Sequence, residues 1–375
     1  MVKVRKTLPR TPQGEVNVPL WVDQLCDAHE QLDATTIEEP VTWLAQQQPD
    51  QLVMALELAE LVAQLNMDQP SVLAGLIYRA IREGRITEAQ AQTLCGEEAC
   101  RIASSVAQMA TTSLLEMSNS PLQEKEQQDQ VENIKRMLVS LIDDARVAVV
   151  KLAERVAALR RAKTYEPERR LRVAQEASRV FAPLAGRLGI WQLKWELEDL
   201  SLRYTQEDVY LDIARQLKGK RAEREVQVEH MIDQVRGLLR GHGIDAVVYG
   251  RAKHIYSIWR KMQSKNVSFD QVYDVRAVRI VVNTLAECYA ALGVIHTTWR
   301  HLPSEFDDYI ANPKENGYQS IHTAVTASDG RVLEIQIRTT AMHEDAELGV
   351  CAHWSYKDGR PEDGSYAAKM DWLRQ

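Results

Sequence analysis

The hydrophobic pattern changes period near residue 245, and this change constrains the fold more than any other feature of the chain. From residue 15 to about 235, apolar residues recur at helical spacing. Leu52, Leu56, Ala59, Ala63 and Leu65 mark one helical face. Val131, Ile134, Leu138, Leu141 and Ile142 begin another, which continues through Val149, Val150, Leu152 and Val156. The polar run Pro121–Gln130 predicts a loop, and Pro167 in TYEPERR predicts a break before a new helix. Beyond 245, helices and strands alternate. Asp245–Tyr249 predicts a strand stopped by Gly250, and His254–Lys265 a helix with Ile255, Ile258, Trp259 and Met262 on one face. Asp274–Val282 predicts a strand and Leu285–Trp299 a helix. Ser320–Ala327 and Arg331–Arg338 predict a hairpin turning at Ser328-Asp329-Gly330, followed by a helix over Thr340–Val350. The expected fold class is α+β: an all-helical N-terminal domain, then a mixed sheet with helices packed on it. The ending KMDWLRQ reads as the start of a further helix, so the chain is expected to be a piece of a longer one.

A chain of 375 residues has room for two or three domains with real cores. It has no apolar run of about 18 residues, so no transmembrane helix is expected. The basic start MVKVRKTLPRTPQG lacks the apolar stretch of a signal peptide. Cys26, Cys95, Cys100, Cys288 and Cys351 are scattered with no CxxC pair, which reads as reduced thiols in a cytoplasmic protein and argues against zinc. A net charge of −7 argues against a chain that binds nucleic acid along its length. Yet Arg251 to Lys265 holds cations and no acid, a local balance that suits a small anionic ligand.

Strand alternation places Val332, Glu334, Gln336 and Arg338 on one face and Leu333, Ile335 and Ile337 on the other. The polar face is expected to present a carboxylate and an amide to an open cleft. Asp274 shares a face with Arg276, so neighbouring strands would bring Asp274 and Glu334 together. Two such carboxylates suit a Mg²⁺ bound to nucleotide phosphates. A solvated edge strand explains the same spacing, and spacing alone leaves both readings open. In YGRAKHIYSIWRKM, a strand–glycine–helix junction aims N–H groups at an anion. Arg251 and Lys253 stand at that junction, and Ser257 and Lys261 share a helix face. Together they would cradle a polyphosphate, while an ordinary solvated basic helix remains the competing explanation. The loop Glu305–Thr323 is rich in carboxylates and also carries Lys314, Asn316, Tyr318 and His322. Tyr318 offers a ring on which a base can stack, a contact worth about 1–3 kcal/mol. For His322 alone, a packed and hydrogen-bonded strand histidine is the simpler reading.

These residues resemble a known family. YGRAKHIYSIWRKM, YDVRAVRIVV, DDYIANPKENGYQSIHT, LEIQIRT and MHEDAELGVCAHWSYK, in that order, are similar to the synthetase domain of RelA/SpoT homologues, the (p)ppGpp synthetases. The run RLGIWQLKWELEDLSLRY resembles the helical lead-in to that domain. The resemblance implies a nucleotidyltransferase-like synthetase domain over 186–375, after a helical HD-like hydrolase domain over 1–185. It implies transfer of pyrophosphate from ATP to the 3′-OH of GTP or GDP, in the cytoplasm and away from membranes. Arg251, Lys253, Ser257, Lys261 and Arg279 would hold ATP. Asp274 and Glu334 would hold Mg²⁺, with Glu334 also activating the 3′-OH. Lys314, Asn316, Tyr318 and His322 would form the guanine nucleotide site, supported by Gln336. Ala252 departs from the proline usual at its position.

In the helical half the departures outweigh the matches. The family's Mn²⁺-binding and catalytic positions fall on Met54, Tyr78-Arg79, Arg82-Glu83 and Glu154. Of these, only Glu154 is expected to retain the capacity to bind a metal, and a thioether is a poor ligand for a hard cation. A degenerate pseudo-hydrolase without Mn²⁺ is therefore expected. Glu305-Phe306-Asp307-Asp308 matches the acidic Glu-x-Asp-Asp of synthetase-only members, whereas members that also hydrolyse carry Arg-x-Lys-Asp. The expectation is a RelA-type synthetase. Its ribosome and uncharged-tRNA contacts would lie in C-terminal domains beyond this chain. The alternatives are a catalytically silent scaffold that binds ribosome or RNA, and a bifunctional synthetase/hydrolase.

Overall fold

A computed structural model describes residues 8–111, 144–219, 221–250, 254–269, 277–314, 317–328, 330, 332–349 and 351. The chain divides into two compact units, one of residues 1–201 with 348–375 and one of residues 202–347. No helix among the described residues is long and apolar enough to cross a membrane.

The first unit is helical. Its elements are α1 (Val18–Ala28), α2 (Ala34–Gln47), α3 (Pro49–Gln64), α4 (Gln69–Arg82), α5 (Glu88–Cys95), α6 (Glu97–Thr111), α7 (Ala145–Arg161), α8 (Pro167–Glu176) and α9 (Ala182–Arg187). The apolar face expected on α3 is buried throughout, with Leu56, Ala59, Ala63 and Leu65 fully enclosed. Pro167 starts α8 at its first turn, where the missing N–H costs nothing. One π-helical turn, Ala177–Phe181, joins α8 to α9. The expected loop at Pro121–Gln130 and the helix start at Val131–Ile142 lie outside the described residues. Two buried polar contacts tie distant parts of this unit together. Trp21 Nε1 donates to Glu60 at 2.7 Å, and Arg146 bonds Asp68, Glu98 and Asp144.

α10 (Trp191–Thr205) leads into the second unit, which is α+β. It contains α11 (Glu207–Gly219), α12 (Arg221–Gly241), β1 (Val247–Gly250), α13 (Ile255–Lys265), β2 (Ala277–Val282), α14 (Leu285–Thr298), β3 (Arg300–His301), β4 (Asp307–Asp308), β5 (Ile321–Thr326), β6 (Val332–Thr339) and α15 (Thr340–Leu348). The sheet runs β1-β2-β6-β5-β3, with β4 beside β5. β2 and β6 are parallel and the other pairs antiparallel, so the sheet is mixed as expected. Val278, Ile280, Val282, Leu333, Ile335 and Ile337 line one face. Met231, Val235 and Leu239 of α12 and Cys288, Ala291 and Ile295 of α14 cover it. α13 turns its expected apolar face, Ile255, Ile258, Trp259 and Met262, into a separate small cluster with Ile213 and Phe269.

One local detail differs from the sequence reading. Gly250 is the last residue of β1 rather than its stop, and a Cβ there would stand 2.6 Å from Val228 Cγ1. Close packing against α12 therefore selects glycine. The start of α14 is fixed by a capping box in which Thr284 accepts from the Glu287 N–H while Glu287 accepts from the Thr284 N–H. Thr284→Ala removes half of this box and is expected to cost about 1 kcal/mol. Urea unfolding of the variant beside wild type measures the loss, and an unchanged midpoint would show that the cap contributes nothing.

Candidate functional site

Register pairing sets one row of polar residues across the sheet. Tyr249 pairs with Arg279, Arg279 with Gln336, Gln336 with His322, and His322 with Asp307. Directly paired residues share a face, so these five side chains stand on the side away from the apolar core. Glu334 belongs to the same face, two residues along β6 from Gln336. Its partners on either side are Ala277 and Ala324. Two alanines thus flank a half-buried carboxylate. Gln336 Nε2 donates to Glu334 Oε1 at 3.1 Å and orients it.

The open cleft expected on this face is only partly present. Gln336 and Arg338 are buried at 2% and 1% exposure, and Arg279 at 6%. The reason is electrostatic. Glu347 of α15 accepts from Arg279 Nη1 at 2.8 Å and from Arg338 Nη2 at 3.2 Å, so two buried guanidiniums share one carboxylate and a net positive charge remains. Arg279 also donates to Tyr249 Oη at 3.4 Å and lies over that ring at 5.7 Å. Tyr249 Oη meets His343 Nε2 at 3.0 Å. Arg279 Nε and Arg338 Nε have no partner among the described residues.

The loop between β4 and β5 folds over the far end of the row. Asp308 Oδ1 accepts from the N–H groups of Ile310 and Ala311 and closes the first turn. Lys314 N–H donates to the Tyr318 carbonyl at 3.2 Å, and Gly317, at φ +75°, makes the return turn possible. Tyr318 Oη lies 2.8 Å from His322 Nε2. Tyr309 packs edge-on against His322 at 5.2 Å, and Lys314 Nζ sits 4.2 Å over the Tyr309 ring. The structure therefore brings Lys314, Tyr318, His322 and Gln336 together. His322 is a hydrogen-bonded strand histidine and part of this cluster at once.

Ser257 and Lys261 share one face of α13, with Ser257 exposed and Ile258 buried opposite. Arg251, Lys253, Asp274 and Asn316 lie outside the described residues. Sequence reasoning gave no role to Tyr249, Tyr309, His343 or Glu347. Arg338 was visible on the polar face of its strand, but an arginine on a polar face does not announce burial. The partner that buries it comes from the next element.

In the helical unit, Met54, Tyr78, Arg79, Arg82 and Glu154 line one cavity of about 470 Å³, and Glu83 stands outside it. Arg79 Nη1 donates to Met54 Sδ, and Arg82 Nη1 to Tyr78 Oη. Glu83 accepts from Arg79, Arg85 and Gln51. Glu154, the one residue expected to remain able to bind a metal, already bonds Lys151 Nζ at 3.0 Å and Arg155 Nε at 2.7 Å. Those two cations hold its carboxyl well below the usual range despite burial. Burial pushes the Tyr78 phenol up to about 12, with Glu154 adding to the shift.

A helical unit with such a cavity, followed by a mixed sheet with one polar face, makes a two-unit protein of the α+β class. Residues 42–191 match the HD domain and 250–361 the region found in RelA / SpoT proteins. A GTP pyrophosphokinase of Photobacterium angustum is 49% identical over 85% of this chain and 43% of its own length. A probable guanosine-3′,5′-bis(diphosphate) 3′-pyrophosphohydrolase of Synechocystis is 41% identical over 85% of this chain and 41% of its own. The small alarmone synthetase 1 of Bacillus subtilis bound to pppGpp is 24% identical. It covers 41% of this chain and 89% of its own, with a TM-score of 0.31. The chain belongs to the RelA/SpoT family and spans less than half the length of the full-length relatives it matches.

The buried network carries a pH signature. Burial and the neighbouring Arg338 lower the His343 imidazole to about 4. In the unfolded chain it titrates near 6.5, so the unfolded state takes up the proton first. Stability from neutral His343 is present above about pH 6.5 and is lost as pH falls toward 4. Unfolding midpoints measured from pH 7 to 4.5 should drop, and His343→Gln should flatten that slope. An identical slope in both proteins would remove His343 as the cause.

Proposed function

We propose that this chain is a (p)ppGpp synthetase that transfers pyrophosphate from ATP to the 3′-OH of GTP or GDP. The observation that carries the reading is the single sheet face holding Glu334, Gln336, Arg279 and His322, with Tyr318 and Lys314 folded over its end. The names of the similar GTP pyrophosphokinases support it. In this reading Tyr318 stacks on guanine, with Lys314, Asn316 and His322 around it and Gln336 behind. Arg279, Ser257 and Lys261 meet the ATP phosphates, joined by Arg251 and Lys253. The 3′-oxygen attacks the β-phosphorus in line and its proton passes to Glu334. The bond from that phosphorus to the α,β-bridging oxygen breaks, and AMP leaves. Surplus positive charge in the row is set up before the reaction and meets charge that develops on the transferred group.

Glu334 fits a role as a Mg²⁺ ligand. It is a half-buried hard-oxygen donor flanked by alanines, with one oxygen oriented by Gln336. Asp274 would be its companion. The ion, when bound, neutralises phosphate charge and polarises the reacting phosphorus. The protein is placed in the cytoplasm, with ribosome and uncharged tRNA as partners of the full-length protein.

We further infer that the helical unit does not hydrolyse the product. A thioether, a phenol and guanidiniums occupy the family's metal positions, and Glu154 is bound by two cations. This donor set does not fit Mn²⁺. The Synechocystis relative keeps a bifunctional reading in view as the second one. Release of pyrophosphate from ppGpp in Mn²⁺ would establish that second reading.

Labelled ATP incubated with GTP or GDP and Mg²⁺ tests the main reading, and no transfer to either acceptor would sink it. Glu334→Ala and Asp274→Ala are expected to abolish transfer while the circular dichroism melt is retained. Tyr318→Ala should raise the KM for the guanine nucleotide about tenfold or more, following the typical worth of a stacked base, and leave the KM for ATP near wild type. A selective rise in the ATP KM would move Tyr318 out of the guanine site.

A further inference from the structure

We propose that the cavity of the helical unit binds a small molecule carrying two or more linked phosphoryl groups, and holds it with guanidinium and ammonium groups rather than through a metal. The inference is independent of the synthetase reading, since every residue it uses lies in the first unit.

The argument starts from charge. Arg79 and Arg82 of α4, Lys151, Arg155 and Arg161 of α7, and two arginines of α8 line one space. Lining carboxylates number two, Glu154 and Glu176. Glu83 and Glu57 pair with Arg79 and Arg161 from outside. Seven cations therefore face four carboxylates, a surplus of three positive charges in a chain whose overall charge is −7. Among the described residues, Arg82, Arg169 and Arg172 face no carboxylate within ion-pair distance. Like charges gathered around a partly desolvated space repel, and a multivalent anion relieves that repulsion.

The placement of these groups adds chemistry to the charge. Arg169 and Arg172 lie one turn apart on α8, so their side chains reach the cavity from one helix face. Arg169 stacks over the Tyr165 ring at 4.6 Å, which fixes its planar fork. On the opposite wall Lys151 is buried at 3% exposure, and both it and Arg155 lie over Phe181 within the π-helical turn. Such π turns concentrate at functional sites. Guanidinium forks match phosphate oxygens in pairs, and several forks on different walls suit several linked phosphoryl groups better than one. The volume of about 470 Å³ is within the roughly 300–1,000 Å³ usual for small-molecule sites.

Inorganic tripolyphosphate is the first probe, titrated calorimetrically into the whole chain in EDTA at fixed salt. The expected result is saturable binding that Arg169→Ala/Arg172→Ala weakens at least tenfold. Both arginines are exposed, so the double variant should melt as wild type does. Arg82→Gln serves as a second variant on a separate wall and should weaken binding too. A nucleoside 5′-triphosphate, titrated against the Lys261→Ala background, separates the two sources of such a ligand. Tighter binding than tripolyphosphate points to a nucleotide, and equal binding points to the phosphate chain alone. The proposal is overturned if the α8 double variant binds tripolyphosphate as tightly as wild type, or if the loss follows Lys261→Ala instead. In either case the ATP-to-GTP transfer assay still reads the synthetase separately.

Discussion

The sheet domain depends on a guanidinium buried in a central strand. Arg279 sits in β2, where every residue is buried, and it must be neutralised in place. Glu347 does this from α15 while also taking Arg338. Removing one partner of such a buried pair typically costs roughly 3–5 kcal/mol, because the other is left charged and dry. The helix after β6 therefore has to return over the polar face of the sheet. That return closes one end of the face and leaves Glu334, between two alanines, at the part that stays accessible.

Much of this was legible in the sequence because periodicity is a local property. The apolar faces of α3 and α13, the β5–β6 hairpin and the polar face of β6 follow from spacing alone. Pro167 marked a helix start. Pairing between distant elements was not legible. Nothing near Arg338 in the chain says that it will share the Glu347 carboxylate with Arg279, so an alternating strand read as facing a cleft is in fact buried at its C-terminal end. Likewise Glu154 read as a residue still able to take a metal. Its neighbours Lys151 and Arg155 sit three residues before it and one after, and only the helix geometry shows both reaching its oxygens.

The cavity of the helical unit and the polar face of the sheet handle charge in the same way. Around each, cations outnumber carboxylates while the chain as a whole is acidic. On the sheet, two guanidiniums share Glu347, and His343 beside them is kept neutral. In the helical unit, Glu154 serves two cations, and three arginines around the cavity lack a carboxylate among the described residues. Burying like charges together lowers stability, and sequences retain such clusters where an anion compensates them in use. An acidic exterior then keeps long polyanions away from sites scaled for small ones.

The acidic segment before the loop divides along the same lines. Asp308 is structural: its carboxylate holds the N–H groups of Ile310 and Ala311 and accepts from Tyr289. An aspartate at this point occurs in both versions of the family's segment, as a turn cap should. Asp307, one residue earlier, pairs with His322 across β4 and β5 and stands at the end of the polar row. With burial, it raises the Tyr309 phenol, the ring that carries Lys314. Of the two positions, 305 and 307, where the acidic and basic versions of the segment differ, the second is thus in direct register with the cluster read as the guanine cradle. Asp307 and Lys314 are both exposed, so a reversal of charge there acts across solvent, where single-charge pairs are typically worth about 0–1 kcal/mol.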